Sequence, residues 1–161
     1  MSDLLINYKI INPCKTCAVT GHRGLNNDFD SDKLVSVLKE VIADGYDCFL
    51  IGMALGFDTE CFHALEKMRK TENIKLIACV PCEDQDKKFT EAQKKEYKRM
   101  ISVADEVTIL SRAYTGKCML MRNKFMIDRC SALIAYLRRK TGGTFYTVNY
   151  AEKTGKRIIF L

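Results

Sequence analysis

Residues 16–24 have the sequence TCAVTGHRG, and this stretch decides the fold expectation. Its first five residues form an apolar run of strand length, and a glycine-containing loop follows at once. Beyond the loop, residues 31–43 carry apolar side chains at spacings of three and four, which predicts a helix. A buried strand, a glycine loop and a helix are typical of a parallel α/β domain, in which ligands bind beyond the strand ends.

The same strand-then-helix pattern repeats along the rest of the chain. Further strands are expected at 48–51, 74–80, 106–110, 132–137 and 158–161, and further helices at 58–70, 90–103, 118–129 and 144–153. The strands are short and apolar, as in sheets that helices cover on both faces. We therefore expect a three-layer α/β/α fold with a central parallel sheet, in the order 3-2-1-4-5 with a possible extra edge strand.

Length and composition indicate one globular domain. The 161 residues are 47% hydrophobic and 29% charged, which is an ordinary balance. We expect a single domain over residues 1–161, with residues 1–15 as an N-terminal extension. No apolar run approaches the roughly 20 residues of a membrane span, and the first nine residues lack the features of a signal peptide. These features predict a cytoplasmic protein without a membrane partner.

The net charge of +6 is concentrated in one segment. Residues 112–140 contain eight basic residues and one acid, so this segment carries +7 and the rest of the chain −1. A local excess of this kind suits an anionic ligand such as a nucleotide, or nucleic acid. It equally suits a solvated basic face, and charge alone does not separate the two.

The eight cysteines also have two interpretations: they could bind a metal, or they could be reduced and mostly buried. They stand at positions 14, 17, 48, 61, 79, 82, 118 and 130. Two pairs, 14/17 and 79/82, have the Cys-x-x-Cys spacing of zinc sites. Both pairs fall on or beside apolar strands, where residues three apart point to opposite faces. We therefore expect reduced, mostly buried cysteines, with no disulfide and no metal.

Glycine, hydroxyl and basic residues follow the predicted strands. The loops concerned are 21–24, 52–58, 81–85, 111–117 and 141–144. Because parallel strands end at the same edge of a sheet, we expect these loops to meet. Glycine lets backbone N–H groups approach a phosphate, and a following helix adds partial positive charge. Each loop alone is also compatible with an ordinary turn or helix cap, but their shared placement predicts an anion site.

Six motifs occur in order within these loops and in the fourth helix. They are TGHR at 20–23, GMALGFD at 52–58, PCE-x-Q at 81–85, YT at 114–115, CML-x-RN followed after four residues by DR at 118–129, and GGT at 142–144. Together they resemble the YpsA-like branch of the SLOG superfamily over residues 16–161. The resemblance implies a Rossmann-like fold that binds a nucleotide or nucleotide-derived small molecule. Related proteins in the superfamily include LOG-type phosphoribohydrolases and DprA-type proteins that bind single-stranded DNA.

The chain departs from the LOG-type motif Pro-Gly-Gly-x-Gly-Thr-x-x-Glu. Aligning Gly143-Thr144 with its Gly-Thr places Thr147 where the catalytic glutamate stands, and the proline and one glycine are absent. Cleavage through an oxocarbenium-like transition state needs a carboxylate, which Asp58, Glu83 or Asp128 could supply. Whether the chain is an enzyme therefore stays open, and no catalytic residue is assigned.

The candidate ligand site combines residues from all of these loops. It comprises Gly21, His22, Arg23, Gly52, Gly56, Asp58, Glu83, Arg122, Asn123, Gly142, Gly143 and Thr144. In this hypothesis the glycines cradle phosphate, Arg23 and Arg122 neutralise it, and Thr144 donates a hydroxyl. Asp58 or Glu83 contacts ribose or a base edge. The only cofactor-like molecule implied is the nucleotide or its derivative.

The sequence is also compatible with two other functions, and it predicts an assembly state. One function is a nucleotide phosphoribohydrolase or related N-glycosidase, and the other is single-stranded nucleic-acid binding through residues 112–140. For assembly, the apolar residues Met119, Met121, Phe125 and Met126 of the fourth helix exceed what one buried face needs. Because relatives in the resembled superfamily commonly associate, we expect a homodimer.

Overall fold

The structure is a computed structural model that describes residues 11–161. A short 3-10 helix, Pro13–Lys15, precedes an alternating series of strands and α-helices. The strands are β1 Thr16–Gly21, β2 Cys48–Ile51, β3 Lys75–Val80, β4 Glu106–Ile109, β5 Ala132–Tyr136 and β6 Arg157–Phe160. The helices are α1 Ser31–Ala43, α2 Phe57–Met68, α3 Glu91–Val103, α4 Cys118–Asp128 and α5 Gly142–Lys153. The predicted elements agree with these bounds to within two residues. Most of the predicted extension, residues 1–10, lies outside the described residues.

All six strands form one parallel sheet in the order β4-β3-β2-β1-β5-β6. This confirms the three-layer α/β/α fold, the internal position of β1 and the extra edge strand, which is β6. The predicted order was wrong in one place. The fourth strand was expected beside β1, but β4 lies at the edge next to β3, and β5 pairs with β1 instead.

Burial explains why β5 rather than β4 lies in the centre of the sheet. All five residues of β5 are buried, as a strand covered on both faces requires. None of the four residues of β4 is buried, and this strand includes Glu106 and Thr108. A partly polar strand is more stable at an edge, where solvent reaches it. The polar residues of β4 were the sequence signal for this placement.

The helices divide between the two faces of the sheet. Buried residues of α1, α2 and α3 share one core with strand residues such as Phe49 and Ile51. Buried residues of α4 and α5 share a second core with Leu50 and Leu133 on the opposite face. The connection from β4 to α4 therefore returns from the sheet edge to the other face. Its Ser111 carbonyl accepts a hydrogen bond from the Glu83 backbone N–H at 3.1 Å, which holds it over the end of β3.

The structure revises the argument for a dimer. Phe125 and Met126 are buried in the second core, so they are not surplus apolar residues. Of the large apolar side chains on α4, Leu120 and Met121 are exposed. The homodimer stays a prediction, now resting on a smaller apolar surface.

Two further findings concern the cysteines and membrane insertion. All eight cysteines have free thiols, and six of them are buried, which confirms the expected mostly buried set. In the described part of the chain, no helix combines the length and the apolar character that crossing a membrane requires.

Candidate functional site

A cavity of about 390 Å³ opens at the carboxyl ends of β1, β2 and β5, and we call it the glycine cavity. Ten of the twelve candidate residues line it: Gly21, His22, Arg23, Gly52, Asp58, Arg122, Asn123, Gly142, Gly143 and Thr144. The structure therefore brings the predicted loops together, although β4 is not where it was expected. This is because parallel strands end at one edge whatever their order, and the β4–α4 connection passes over that edge.

The two remaining candidates lie outside the lining of the glycine cavity. Glu83 is exposed and does not line the glycine cavity. Gly56 is the N-cap residue of α2 with φ +80°, and a Cβ there would overlap the backbone carbonyl of Arg23. Gly56 therefore positions the loops around the cavity by allowing their backbones to touch.

Arg122 of α4 is a buried cation, with 5% of its surface exposed. Its Nη1 donates to the Gly52 carbonyl and, at 3.5 Å, to the Cys79 carbonyl, and its Nε donates to Asn123 Oδ1 at 2.7 Å. Among the residues that the structure describes, its Nη2 has one partner, the sulfur of Met119 at 4.0 Å. Among the described residues, no carboxylate oxygen lies within ion-pair distance of this guanidinium. The guanidinium is thus held in place by neutral groups and lacks a direct anionic partner.

Asp58 of α2 is the buried acid of the same cavity. Its Oδ2 accepts a hydrogen bond from the Ala54 N–H at 3.1 Å. Burial raises the pKa of Asp58 from 3.8 to about 6, against the opposing effects of Arg122, this hydrogen bond and Arg23. Burial also lowers the pKa of Arg122, and Asp58 counteracts that shift. The cavity therefore contains two charged groups that solvent barely reaches.

Replacing Asp58 with asparagine should stabilise the fold at pH 8. The raised pKa means that ionising Asp58 destabilises the folded state, a loss that develops as pH rises from 3.8 to about 6. Asparagine does not ionise and can still accept from Ala54, so the gain should be about 2–3 kcal/mol at pH 8 and shrink as pH falls below 6. Urea unfolding across this pH range measures it.

Asp28→Asn is the matched control for that prediction. Hydrogen bonds from Arg138 and Tyr136 lower the pKa of Asp28, so its removal should destabilise the fold, with a sign opposite to Asp58→Asn. A loss of stability in Asp58→Asn at pH 8 would contradict the raised pKa.

His22 presents a fixed donor to the cavity. Its Nε2 accepts a hydrogen bond from the Arg138 backbone N–H at 2.8 Å, so the neutral ring carries its proton on Nδ1. Arg139 Nη2 lies 3.4 Å from that Nδ1. Burial, then Arg139 and Arg138, lower the pKa of His22 and favour the neutral ring. Two donors this close to each other can both donate to one anionic oxygen that lies beside them.

Three helices begin around the glycine cavity, and none has a side-chain cap. The first turns of α2, α4 and α5 contribute Asp58, Met119 and Gly143 to the lining, and no side chain accepts from their first N–H groups. By contrast, Asp30 caps α1, and Thr90 caps α3 in a capping box with Gln93. The first N–H groups of α2 and α4, on Phe57 and Cys118, donate to the backbone carbonyls of His22 and Thr115. The remaining first-turn N–H groups and the partial positive charge of the three helix starts are left for another acceptor.

A second cavity of about 300 Å³ adjoins the first, and we call it the aromatic cavity. Arg23, Ala54, Tyr114 and Met119 line both cavities. The rest of its lining is Leu55, Asp84, Gln85, Lys87, Lys88 and Phe89. None of these six residues is among the site candidates predicted from the sequence. The sequence motif at 81–85 indicated this loop. Residues in a loop follow no periodic pattern, so the sequence does not tell which side chain faces a cavity.

Gln85 links the two cavities. Its Nε2 donates to the Gly52 carbonyl at 3.2 Å, and its Oε1 accepts from the Tyr97 hydroxyl at 3.2 Å. The Gly52 carbonyl therefore accepts from both Gln85 and Arg122. A Cβ at Gly52 would lie 2.6 Å from Arg122 Nη1, so only glycine leaves room for the guanidinium. The loop after β2 is fixed by these contacts before any ligand arrives.

Comparison with known proteins places this architecture in a sequence family. The family model described as the YspA SLOG family matches residues 28–159. The uncharacterized SPbeta prophage-derived protein YoqJ of Bacillus subtilis (strain 168) is 35% identical over 139 residues, which cover 76% of this chain and 80% of that protein. The UPF0398 protein YpsA of the same strain is 25% identical over 153 residues, covering 86% of this chain and 85% of that protein.

Solved structures share the fold at low sequence identity. DNA processing protein A (DprA) from Streptococcus pneumoniae has a TM-score of 0.67 at 19% identity, covering 91% of this chain but only 50% of that one. The Helicobacter pylori DNA processing protein A, described for its single-stranded DNA binding mode, has a TM-score of 0.64 at 20% identity, covering 99% and 68%. This chain thus spans half to two thirds of these proteins, and the likeness concerns the fold.

Proposed function

Since the chain belongs to the YspA SLOG family, we propose that it binds a nucleotide or nucleotide-derived small ligand, with the phosphate in the glycine cavity. The family relationship supports a nucleotide-related role, and the shape and charges of the cavity support the placement of the phosphate. The proposal concerns binding, and an enzymatic step is treated below as an alternative.

The observation that carries the proposal is the buried guanidinium of Arg122. Removing a charge from water is strongly unfavourable unless a partner compensates it. The described neighbours of Arg122 supply carbonyl, amide and thioether acceptors, and Nη2 has only the sulfur. A phosphate in the cavity would supply the missing anion and accept charge-assisted hydrogen bonds from Nη2.

The rest of the glycine cavity suits the same anion. The starts of α2, α4 and α5, which have no side-chain cap, offer partial positive charge and the first-turn N–H groups that no backbone carbonyl accepts from. His22 Nδ1–H and the Arg139 guanidinium approach each other as two donors that need one acceptor. The acid among the lining residues, Asp58, has a pKa of about 6, so a nearby phosphate would favour its protonated form.

Calorimetric titration with matched ligands tests the proposal. We expect nucleoside mono-, di- or triphosphates or dinucleotides to bind the wild type at least ten-fold more tightly than the corresponding nucleosides, because only the former pair with Arg122. If none of these ligands binds, or if nucleosides bind equally well, the proposal fails. Native mass spectrometry of the purified protein, searching for a co-purified ligand, is an independent approach.

One observation supports the alternative that the protein is an N-glycosidase. Asp58 lines the cavity with a pKa of about 6, a range suited to proton transfer. Against cleavage, Thr147 is buried and its hydroxyl donates to the Gly143 carbonyl at 2.8 Å, so the LOG-type glutamate has no replacement there. Glu83 and Asp128 line neither cavity. We expect no free base after incubation with nucleoside monophosphates. Base release that Asp58→Asn abolishes would establish the alternative.

The nucleic-acid alternative rests on the likeness to DprA and on the basic segment 112–140. Within that segment Arg122 is buried, Lys124 pairs with Asp128 at 2.9 Å, and Arg138 pairs with Asp28 at 2.7 Å. Fewer positive charges are therefore available to a strand than the sequence indicated. Salt dependence separates the two functions, since a strand binder loses affinity steeply with salt and we expect a shallow dependence.

A further inference from the structure

We propose that the aromatic cavity is the nucleobase subsite, and that Asp84 selects a base with an amino group at its edge. This inference rests on the proposed function and adds the substrate class: nucleotides whose base carries an exocyclic amino group, tested as adenine against hypoxanthine and as cytosine against uracil. It is carried by the lining residues that the two cavities share, by the apolar and aromatic side chains of the second cavity, and by a carboxylate oxygen that lacks a donor among the described residues.

The two cavities form one cleft of the size and polarity of a nucleotide. Arg23, Ala54, Tyr114 and Met119 line both, so the cavities adjoin at these four residues and a nucleotide bound in both would contact them. The glycine cavity is walled by N–H donors and cations, as a phosphate requires. The aromatic cavity, at about 300 Å³, is at the lower end of ligand-pocket volumes and suits a single base.

The walls of the aromatic cavity fit a flat ring. Leu55, Phe89 and Met119 present apolar side chains to it. Phe89 is fixed by an edge-to-face contact with Tyr97, with ring centroids 5.7 Å apart. Tyr114 is 62% exposed although it lines the cavity, so its ring is available to stack on a base. Stacking on an aromatic side chain is sequence-tolerant, so base selection must come from a polar group.

Asp84 is that polar group. Asp84 is among the residues that line the cavity, its side chain interacts with the Cys82 thiol, and its Oδ1 is buried without a hydrogen-bond partner among the described residues. The amide of its neighbour Gln85, in contrast, is engaged at both ends, with the Gly52 carbonyl and with Tyr97. The last torsion of aspartate is soft, so the carboxylate can turn to meet a donor. An ionised carboxylate only accepts hydrogen bonds, so it pairs with an amino group and repels a carbonyl oxygen.

Titration of the full chain with four nucleotides tests the selection. AMP should bind at least ten-fold more tightly than IMP, and CMP at least ten-fold more tightly than UMP. In each pair the exocyclic amino donor is replaced by an oxygen that the carboxylate repels, while the adjacent ring nitrogen becomes an N–H. Asp84→Asn should abolish or reverse both preferences, since an amide can also donate. Ribose 5-phosphate, which has no base, should bind the wild type and Asp84→Asn equally.

Two further variants control the test. Glu83→Gln changes the adjacent carboxylate, which lines neither cavity, and should keep both preferences. Tyr114→Ala removes the stacking ring and should weaken AMP and IMP alike.

The outcomes distinguish this inference from the proposed function. Equal binding of AMP and IMP, together with binding of ribose 5-phosphate, would overturn the base subsite and leave the phosphate site standing. Adenosine binding as tightly as AMP, with discrimination against inosine, would support the base subsite and overturn the phosphate site. If none of these ligands binds, both are wrong.

Discussion

The Arg122→Met variant will bind nucleoside phosphates about 10- to 150-fold more weakly than the wild type, a loss of about 1.5–3 kcal/mol. Methionine fills much of the same volume but has no charge and no donor. The phosphate then loses the one buried cation that lacks a direct anionic partner among the described residues. Arg122→Lys keeps the charge without the planar fork and should recover part of the loss. Calorimetric titration of the three proteins measures the differences.

The same substitution should leave the free energy of unfolding within about 1 kcal/mol of the wild type. Methionine forfeits the hydrogen bonds to the Gly52 and Cys79 carbonyls and to Asn123 Oδ1, as well as the attraction to Asp58. It also removes a buried cation that has no ion pair among the described residues. The Gly52 carbonyl keeps its hydrogen bond from Gln85. Urea unfolding checks this, and a small change in stability beside a large loss of affinity would assign Arg122 to binding.

Arg112→Met is the control for overall charge. It makes the same change at an exposed arginine of the basic segment that lines neither cavity. Its nucleotide affinity should stay within two- to three-fold of the wild type at physiological salt. Equal losses in both variants would indicate a diffuse basic surface, and no loss in Arg122→Met would mean that the site is misassigned.

The second large effect concerns stability. Gly56→Ala should destabilise the fold by at least ~3 kcal/mol. Gly56 has φ +80°, and an added Cβ would overlap the Arg23 carbonyl, a backbone atom that no side-chain rotation can move. The Phe57 N–H donates to the His22 carbonyl at 3.2 Å close by, so relief of the overlap would also separate β1's loop from α2. Denaturant unfolding gives the value.

Two other glycines separate backbone strain from overlap. Gly45 has φ +101° with open space around its Cβ position, so Gly45→Ala should cost only about 1–2 kcal/mol from the backbone conformation. Gly24 has neither a positive φ nor a neighbour, and Gly24→Ala should be nearly neutral. If Gly56→Ala costs no more than Gly45→Ala, the close approach of the two loops is not as the structure shows it.

The sequence predicted the local structure well because periodicity and burial are local properties. The predicted helix over 31–43 matches α1, and the helix predicted over 90–103 matches α3 together with its N-cap residue Thr90. The order of β4 and β5 depends on which strand fills a fully covered position, and that is a comparison between distant segments. The polar residues of β4 indicated an edge position, and the apolar residues of β5 a central one. The predicted order instead followed the usual arrangement of α/β sheets, in which the fourth strand lies beside the first.

The site was predictable to the level of loops, and less so to the level of side chains. Arg122 could be chosen from its place in the fourth helix, but its burial depends on how α4 packs against α5 and β3, which no local pattern encodes. Glu83 was the predicted site residue, but its neighbour Asp84 lines the aromatic cavity. A loop has no periodic pattern that tells which of two adjacent acidic residues faces a cavity. Tyr114 was part of a motif, yet only the return of the β4–α4 connection placed it between the two cavities.

A crystal structure of the protein with a nucleoside monophosphate tests the central claim most directly. The account predicts the phosphate in the glycine cavity, with one of its oxygens about 2.7–2.9 Å from Arg122 Nη2. Contacts from the first N–H groups of α5 and from His22 Nδ1 should complete the site. A phosphate bound to exposed residues of the basic segment, with the Arg122 guanidinium not in contact with it, would contradict the account.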